Sequence, residues 1–317
     1  MHIVSNPRTA AIITHGGNFH ADEVTAIAIL QMALGDRSVA RVSTETDIPD
    51  GYCGLVVDIG FGQYDHHQAG GNGCRRYTEI PYASAGLIWR DYGRRICGKY
   101  TDNADMIDEL YRIIDSCFIA GIDAVDNGVG GSVIGTISMS LSAIVTAFNT
   151  NWNEDVNNDD QFLAAVEMVC SILDRIIKKH IATLSAREIV LQSAVDDVLY
   201  LNQYVPYMDT VFNKYLAWDE REKMMRLKFV IHPSNRGGWI WRILPIQGIP
   251  NSVQWSIPDE WKGLGGKDLQ KVMNVADAKF VHKDGFIGGA HSKDGCLQML
   301  AAIKTFGKAV ERPTSAS

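Results

Sequence analysis

The sequence predicts an α/β protein. A parallel-sheet domain comes first, then a long helix, then a C-terminal part of strands, turns and a terminal helix. Three observations predict this. Short apolar runs alternate with helical stretches from residue 10 to about 150, as in a parallel sheet covered by helices. A helix-period stripe of apolar residues fills the region from about 160 to 195. Beyond 200 the chain changes to strand-like runs broken by Pro- and Gly-rich turns.

The elements follow in order. Ala10–Thr14 reads as a buried strand, and Ala21–Leu34 as a helix stopped by Gly35. Ser38–Thr44 and Leu55–Val57 are further strands, with a short fourth at Phe61–Tyr64. Ser84 is placed to cap a helix that runs through Tyr92 and closes at Gly93. Asp105–Ile122 is the next helix. The polar stretch 149–160 begins a linker, and Asp159 or Asp160 can cap the helix after it. In that helix Phe162, Val166, Val169, Leu173, Ile176, Ile177 and Ile181 recur at three- and four-residue steps. Leu227–Ile231 and Trp239–Leu244 form a hairpin around Pro233–Gly238, and a helix from Cys296 to about Phe306 ends the fold. These boundaries divide the chain into residues 1–150, a linker and connecting helix at 151–199, a C-terminal domain at 200–312, and a disordered tail at 313–317.

Composition narrows the function. The chain has 317 residues, 46% of them hydrophobic and 21% charged, as expected of a soluble globular protein. No apolar stretch reaches the ~18 residues of a membrane span, so no membrane partner is expected. No basic segment leads into an apolar one at the N-terminus, which argues against a secretory signal. The six cysteines are scattered and form no Cys-x-x-Cys, as in reduced thiols in a cytoplasmic setting. A net charge of −7 argues against tight, sequence-independent binding to long nucleic acid but leaves a short oligonucleotide open.

The chemistry lies in four clusters of His and Asp in the first half. They are His15-Gly16-Gly17-Asn18-Phe19-His20-Ala21-Asp22, the isolated Asp58, Asp65-His66-His67, and Asp123-Ala124-Val125-Asp126. His15 and Asp58 follow strand-like runs, where α/β sheets display their ligands. Carboxylates suit hard divalent cations, and imidazole shifts the preference toward Mn²⁺, Fe²⁺, Co²⁺ or Zn²⁺. Two such ions ~4 Å apart can clamp a phosphoryl group and activate a water. His15, His20, Asp22, Asp58, His66 and Asp126 supply the ligands, with Asp58 as the bridge. A second candidate region is Gly288-Gly289-Ala290-His291-Ser292-Lys293, read as a glycine loop opening a helix N-terminus that could hold an anion. Arg236, Lys262 and the pair Arg75-Arg76 are further phosphate-binding candidates.

These residues resemble the DHH phosphoesterase superfamily, named for its Asp-His-His signature. His15 matches the first His of that pattern, Asp22 the last Asp of its first motif, Asp58 the lone Asp, and Asp65-His66-His67 the signature. Asp126 matches the fourth motif, with Asp123 the alternative. His20 departs from the pattern: it stands where most members carry Asp, with one additional residue in the spacing. Ligation is therefore not transferred intact, and a His there favours Mn²⁺ or a softer ion over Mg²⁺. Motifs such as Tyr82-Ala83-Ser84-Ala85-Gly86, Asp126-Asn127-Gly128, Pro258-Asp259-Glu260-Trp261 and Gly285-Phe286-Ile287-Gly288-Gly289 resemble the melanocyte-proliferating-gene (Myg) branch over about residues 10–310. That branch is also catalogued as metal-dependent protein hydrolases, but no peptide-cleaving logic is visible in the sequence.

The resemblance implies a DHH domain, a connecting helix and a smaller α+β domain that grips substrate and closes on the first. It also implies 3′-to-5′ exonuclease action on RNA with two divalent cations, Mn²⁺ before Mg²⁺, Co²⁺ or Zn²⁺. In that reading Asp58, Asp65 and His67 are catalytic, with His67 touching a non-bridging oxygen, and Gly288, Gly289, His291, Ser292 and Lys293 hold the nucleotide. Eukaryotic members are associated with mitochondria and nucleolus. The alternatives are a phosphohydrolase acting on pyrophosphate or a cyclic dinucleotide, and a non-catalytic metal-stabilised RNA-binding protein. The oligomeric state is not legible.

Overall fold

The structure, a computed structural model, describes residues 1–76, 78–129, 140–249 and 252–310. The C-terminal tail therefore lies outside the described residues. Two compact units divide at Ile181 and Ala182.

The first unit is built on β1 (His2–Ile3), β2 (Ile12–His15), β3 (Ser38–Val42) and β4 (Leu55–Val57), in the order β1-β3-β2-β4. All its pairings are parallel, so the α/β expectation holds for this unit. The central strand β2 is buried on both faces, and its Ile12, Ile13 and Thr14 are no more than 1% exposed. Helix α1 (Ala21–Leu34) crosses from β2 to β3 and has the bounds read from the sequence. It is apolar around its whole circumference, which marks a helix inside the core rather than on its surface. Residues 61–64 form no strand, only a single parallel bridge between Val57 and Tyr64.

Helix α2 (Ser84–Cys97) departs from expectation at both ends. Ser84 is its first residue, not its cap, and Gly93 lies inside it. A Cβ on Gly93 would meet the Trp89 ring at 2.7 Å and Tyr111 at 2.9 Å. Gly93 thus makes room for the Trp89–Tyr111 stack, whose ring centroids are 5.8 Å apart. The single helix expected over 105–122 is α3 (Ala104–Ile114), a π-turn at Asp115–Ile119, and α4 (Ala120–Asp126). After α5 (Leu141–Thr146) comes α6 (Asn158–Ser185), whose Phe162, Val166, Val169, Leu173 and Ile177 are fully buried as the stripe requires. Asn157, rather than Asp159 or Asp160, caps α6, through its side-chain oxygen and the Asp159 N–H (2.8 Å). The helix stops before 195, and α7 (Arg187–Ser193) follows separately.

The second unit contains β5 (Ala194–Val195), β6 (Val198–Tyr200), α8 (Met208–Val211), α9 (Trp218–Arg226), β7 (Phe229–Pro233), β8 (Trp239–Ile243) and β9 (Trp255–Ser256). It continues with α10 (Gly266–Met273), β10 (Ala278–Val281), β11 (Ile287–Ala290), α11 (Lys293–Phe306) and β12 (Lys308–Ala309). Six strands form a mixed sheet in the order β10-β11-β8-β7-β6-β5, and β9 pairs with β12. Strand alternation sends Phe229, Ile231, Trp241 and Ile243 to one face, where they pack on Leu269 of α10 and Met299 and Ile303 of α11. Val230 and Leu199 face the other way, toward Val190 of α7 and Met224 of α9.

Candidate metal centre

Four segments of the first unit bring carboxylates and imidazoles together at the carboxyl edge of the parallel sheet. His15 is the last residue of β2. His20 caps α1 in an extended conformation, and its backbone N–H donates to Glu23 Oε1 at 2.8 Å. Asp22 and Glu23 occupy the first turn of α1, where the helix dipole favours negative charge. Asp58 follows β4 directly with φ +58°, a left-handed conformation that Asp tolerates better than most residues. Asp126 is the last residue of α4.

Ligand-capable atoms fall into three groups, each within 4.8 Å: His15, His20 and Glu23; Asp58, His66 and His67; and Asp22, His66 and Asp126. Asp58 joins them. Its Oδ2 is 3.5 Å from His15 Nε2, and its Oδ1 is 3.5 Å from His66 Nε2. His66 Nε2 also lies 3.0 Å from Asp126 Oδ2 and 3.8 Å from Asp22 Oδ2. The structure therefore gathers His15, His20, Asp22, Asp58, His66 and Asp126. The pair of fourth-motif candidates separates clearly. Asp126 faces the cluster, whereas Asp123 is fully buried, accepts from Gly86 N–H (3.0 Å) and pairs with Arg75 (2.7 Å). Arg75 is also forked onto Asp115 with two bonds of 2.9 Å, so it is a buried structural cation rather than a phosphate contact.

Asp65 does not join the cluster. It is 1% exposed; its Oδ2 accepts from Phe61 N–H (2.6 Å), and its Oδ1 accepts from His67 N–H (3.1 Å) and lies 2.7 Å from His67 Nδ1. It fixes the His67 ring and leaves Nε2 free to meet a ligand.

Two participants were not read as such from the sequence. Glu23 is fully buried, and its Oε1 lies 3.0 Å from His15 Nε2. Its spacing three residues after His20 is a capping-box signal, which hid its proximity to His15. The sequence places Ser84 at a helix cap. Its hydroxyl instead donates to Asp58 Oδ1 (3.0 Å), and the Ser84 and Ala85 N–H groups donate to the two oxygens of Asp22 (2.8 and 2.7 Å). The N-terminus of α2 thus holds the Asp22 carboxylate in place.

The electrostatics are those of crowded anions. Burial, together with Asp58 and Asp126, pushes the Asp22 carboxyl well above its ordinary range. Burial alone would push the His15 imidazole down, but Asp58 and Glu23 outweigh it and raise it to about 11. His66 is likewise raised to about 11, against burial, by Asp126 and Asp58. Burial would raise the Asp58 carboxyl, yet the contacts with His15 and His66 hold it far below its usual range.

The residues fit divalent cations. His15 Nδ1 lies 3.0 Å from the Gly16 carbonyl, so it is the natural donor of that ring. Nε2 then faces two carboxylate oxygens, a position that requires either a proton or a cation. Glu23 Oε2 is buried with no hydrogen-bond partner, a group that a cation would satisfy.

The C-terminal candidates are arranged differently from expectation. Gly288 and Gly289 form no loop; they lie in β11, where Cβ atoms would strike Trp241 (2.4 Å) and the Trp239 carbonyl (2.6 Å). Ser292 caps α11, and its N–H and hydroxyl both donate to Asp277 (2.8 and 2.6 Å). That helix end is therefore already served by a carboxylate of the chain. His291 is exposed beside it, and Lys293 Nζ sits 5.4 Å from the Trp239 ring centre. The hairpin turn carrying Arg236 reaches the same end of β11, since a Cβ on Gly238 would meet the Ala290 carbonyl at 2.4 Å. Lys262 does not join them. It pairs with Asp259 and packs against Gly285, before the other end of β11.

Among the described residues no helix is long and apolar enough to cross a membrane. No solved structure matches the chain. Curated relatives cover nearly all of it. A MYG1 protein of Dictyostelium discoideum is 30% identical, over 93% of this chain and 95% of that protein. The proteins named MYG1 exonuclease in Homo sapiens and Rattus norvegicus are 29% and 28% identical, over 91% of this chain and 84% and 83% of their own lengths. The MYG1 exonuclease family model, described as Uncharacterised protein family (UPF0160), matches residues 11–303, and the chain belongs to that family.

Proposed function

We propose that this chain is a metal-dependent phosphodiesterase of DHH type that removes nucleotides from the 3′ end of RNA or short oligonucleotides. One observation carries the reading: the two oxygens of Asp58 face two different imidazoles, His15 and His66, each at 3.5 Å. A carboxylate so placed is suited to bridge a pair of cations. His15 and His20 would hold one side, with Glu23 close by, and Asp22, His66 and Asp126 the other. Mn²⁺ suits this mixture of imidazole and carboxylate better than Mg²⁺ does. When bound, the two cations acidify a water and neutralise charge on the phosphoryl oxygens.

The chain's own groups do the rest. Asp65 fixes the His67 ring, whose side chain is 56% exposed, so that Nε2 can donate to a non-bridging phosphoryl oxygen. Ser84 and the α2 amides hold Asp58 and Asp22 against their mutual repulsion. Gly288, Gly289, His291, Ser292, Lys293 and Arg236 lie along or at one end of β11, where exposed donors could meet a nucleotide; Lys262 would act separately. The relatives named exonuclease support a nucleic-acid substrate.

The test is release of mononucleotides from 3′- and 5′-labelled RNA and DNA in the presence of Mn²⁺. Asp58→Asn, which keeps the backbone conformation, should lower the rate by at least about a hundredfold. A variant as active as the parent would refute the mechanism.

A further inference from the structure

The sheet of the second unit carries a site that shares no residue with the candidate metal centre. A cavity of about 280 Å³ is lined by Tyr204, Tyr207, His232, Arg242 and Ile287. Its base is the sheet itself. Ile287 of β11 lies opposite Arg242 of β8, which lies opposite Val230 of β7; His232, two residues after Val230, is on the same face. Its wall is aromatic. The Tyr204 and His232 rings meet edge to face at 5.2 Å, and Tyr207 lies 6.1 Å from His232. Tyr204 is 63% exposed, an unusual state for a ring at the mouth of a cavity.

Arg242 is the informative residue. It stands on an interior strand of the sheet, and no carboxylate among the described residues lies within ion-pair distance of it. Its Nε is buried with no hydrogen-bond partner. Its guanidinium lies 5.4 Å from the Phe286 ring centre and meets the neutral Tyr207 hydroxyl, where its charge and hydrogen bond pull against the burial that raises that hydroxyl. A cation in this setting is ordinarily paired. His232 approaches the Pro233 carbonyl through Nδ1 (2.9 Å), and burial and Arg242 lower its pKa, which keeps Nε2 an acceptor. The lining carboxylate, Asp209, is exposed at the rim.

We propose that this cavity binds a mononucleotide unit: the base stacks on Tyr204 and His232, and the phosphate pairs with Arg242. A guanidinium with no carboxylate partner asks for an anion, and an exposed ring beside an imidazole acceptor asks for a planar heterocycle with N–H groups. A nucleotide offers both, at a size suited to a pocket near the ~300 Å³ lower end of small-ligand sites. The proposal names a nucleotide subsite for the exonuclease reading and rests on it for the identity of the ligand, not for the existence of the site.

The experiment is calorimetric titration of the full chain with AMP, adenosine and ribose 5-phosphate, with Mn²⁺ and with chelator. AMP should bind in both conditions, at least about tenfold more tightly than either fragment, because both halves contribute. Tyr204→Ala, on an exposed ring, should weaken AMP and adenosine but not ribose 5-phosphate. Arg242→Met should reduce AMP to the affinity of adenosine, and Asp209→Asn should strengthen AMP. Circular dichroism melting identifies any variant that fails to fold, and Tyr204→Ala then decides alone. AMP binding that vanishes with chelator, or that Tyr204→Ala leaves unchanged, overturns the proposal. AMP binding by a chain that cleaves no RNA would instead uphold the subsite and refute the exonuclease reading.

Discussion

Asp65 holds the His67 ring, and Ser84 holds both Asp58 and Asp22, so these two residues fix the geometry of the candidate site. Asp65→Asn keeps the acceptor for Phe61 N–H but weakens the charge-assisted contact to His67. It should lower the turnover rate more than it raises KM, because His67 is assigned to the reacting phosphoryl group. Steady-state kinetics on a short RNA would check this. Ser84→Ala removes the hydroxyl on Asp58 and leaves the backbone bonds to Asp22 intact. A lost partner of a metal-ligating carboxylate typically costs about 10- to 100-fold in metal affinity, so the Mn²⁺ concentration for half-maximal activity should rise on that order. Metal titrations of parent and variant would measure it. That these His and Asp residues gather at one place was legible in the sequence, because His and Asp at strand ends have few structural uses in such number. Glu23 and Ser84 were not, because each also satisfies a local rule of helix capping that accounts for its presence without any site.

Legibility at the level of elements followed burial. Strands β2 to β4 and helix α1 were readable because their positions are apolar in short, well-punctuated runs. Gly93 carries the local signal of a helix stop, but it makes room for the Trp89–Tyr111 stack, a tertiary fact no local pattern reports. Gly288 and Gly289 carry the local signal of a loop in the same way, though the close approach of Trp241 and the Trp239 carbonyl excludes side chains there. The distinction can be measured. In an ordinary helix interior Gly→Ala stabilises by about 0.5–1 kcal/mol. Gly93→Ala should instead destabilise by about 1–3 kcal/mol, the usual cost of overpacking. Thermal melting would show a fall in Tm rather than a rise.

For the molecule as a whole, the candidate metal centre links stability to pH. Without cations, protons on His15 and His66 balance the surrounding carboxylates, and both groups are raised from 6.5 to about 11. A raised imidazole contributes stability fully present below pH 6.5, and that contribution is lost as pH rises toward 11. Cation binding needs the neutral imidazoles and so strengthens over the same interval. The gap in Tm between Mn²⁺-loaded and chelated protein should therefore widen from about pH 6.5 toward about pH 11, the interval over which the folded rings keep protons that the unfolded chain has lost. Cation uptake near neutral pH should also release about two protons, one from each ring. Differential scanning fluorimetry and titration in weak buffer would follow the two effects.

The π-turn at Asp115–Ile119 has a consequence of its own. It adds one residue to a helical path and so rotates everything after it by roughly 100° relative to an uninterrupted α-helix. Asp115 stands at its start, and Asp123 and Asp126 come after it, so the Arg75 clasp and the fourth carboxylate share one phase. Shortening the segment by a single residue would swing Asp126 away from His66 and strip Arg75 of one counter-charge together. The angular setting of this acidic pair is thus a matter of residue count, and no choice of side chain downstream could restore it.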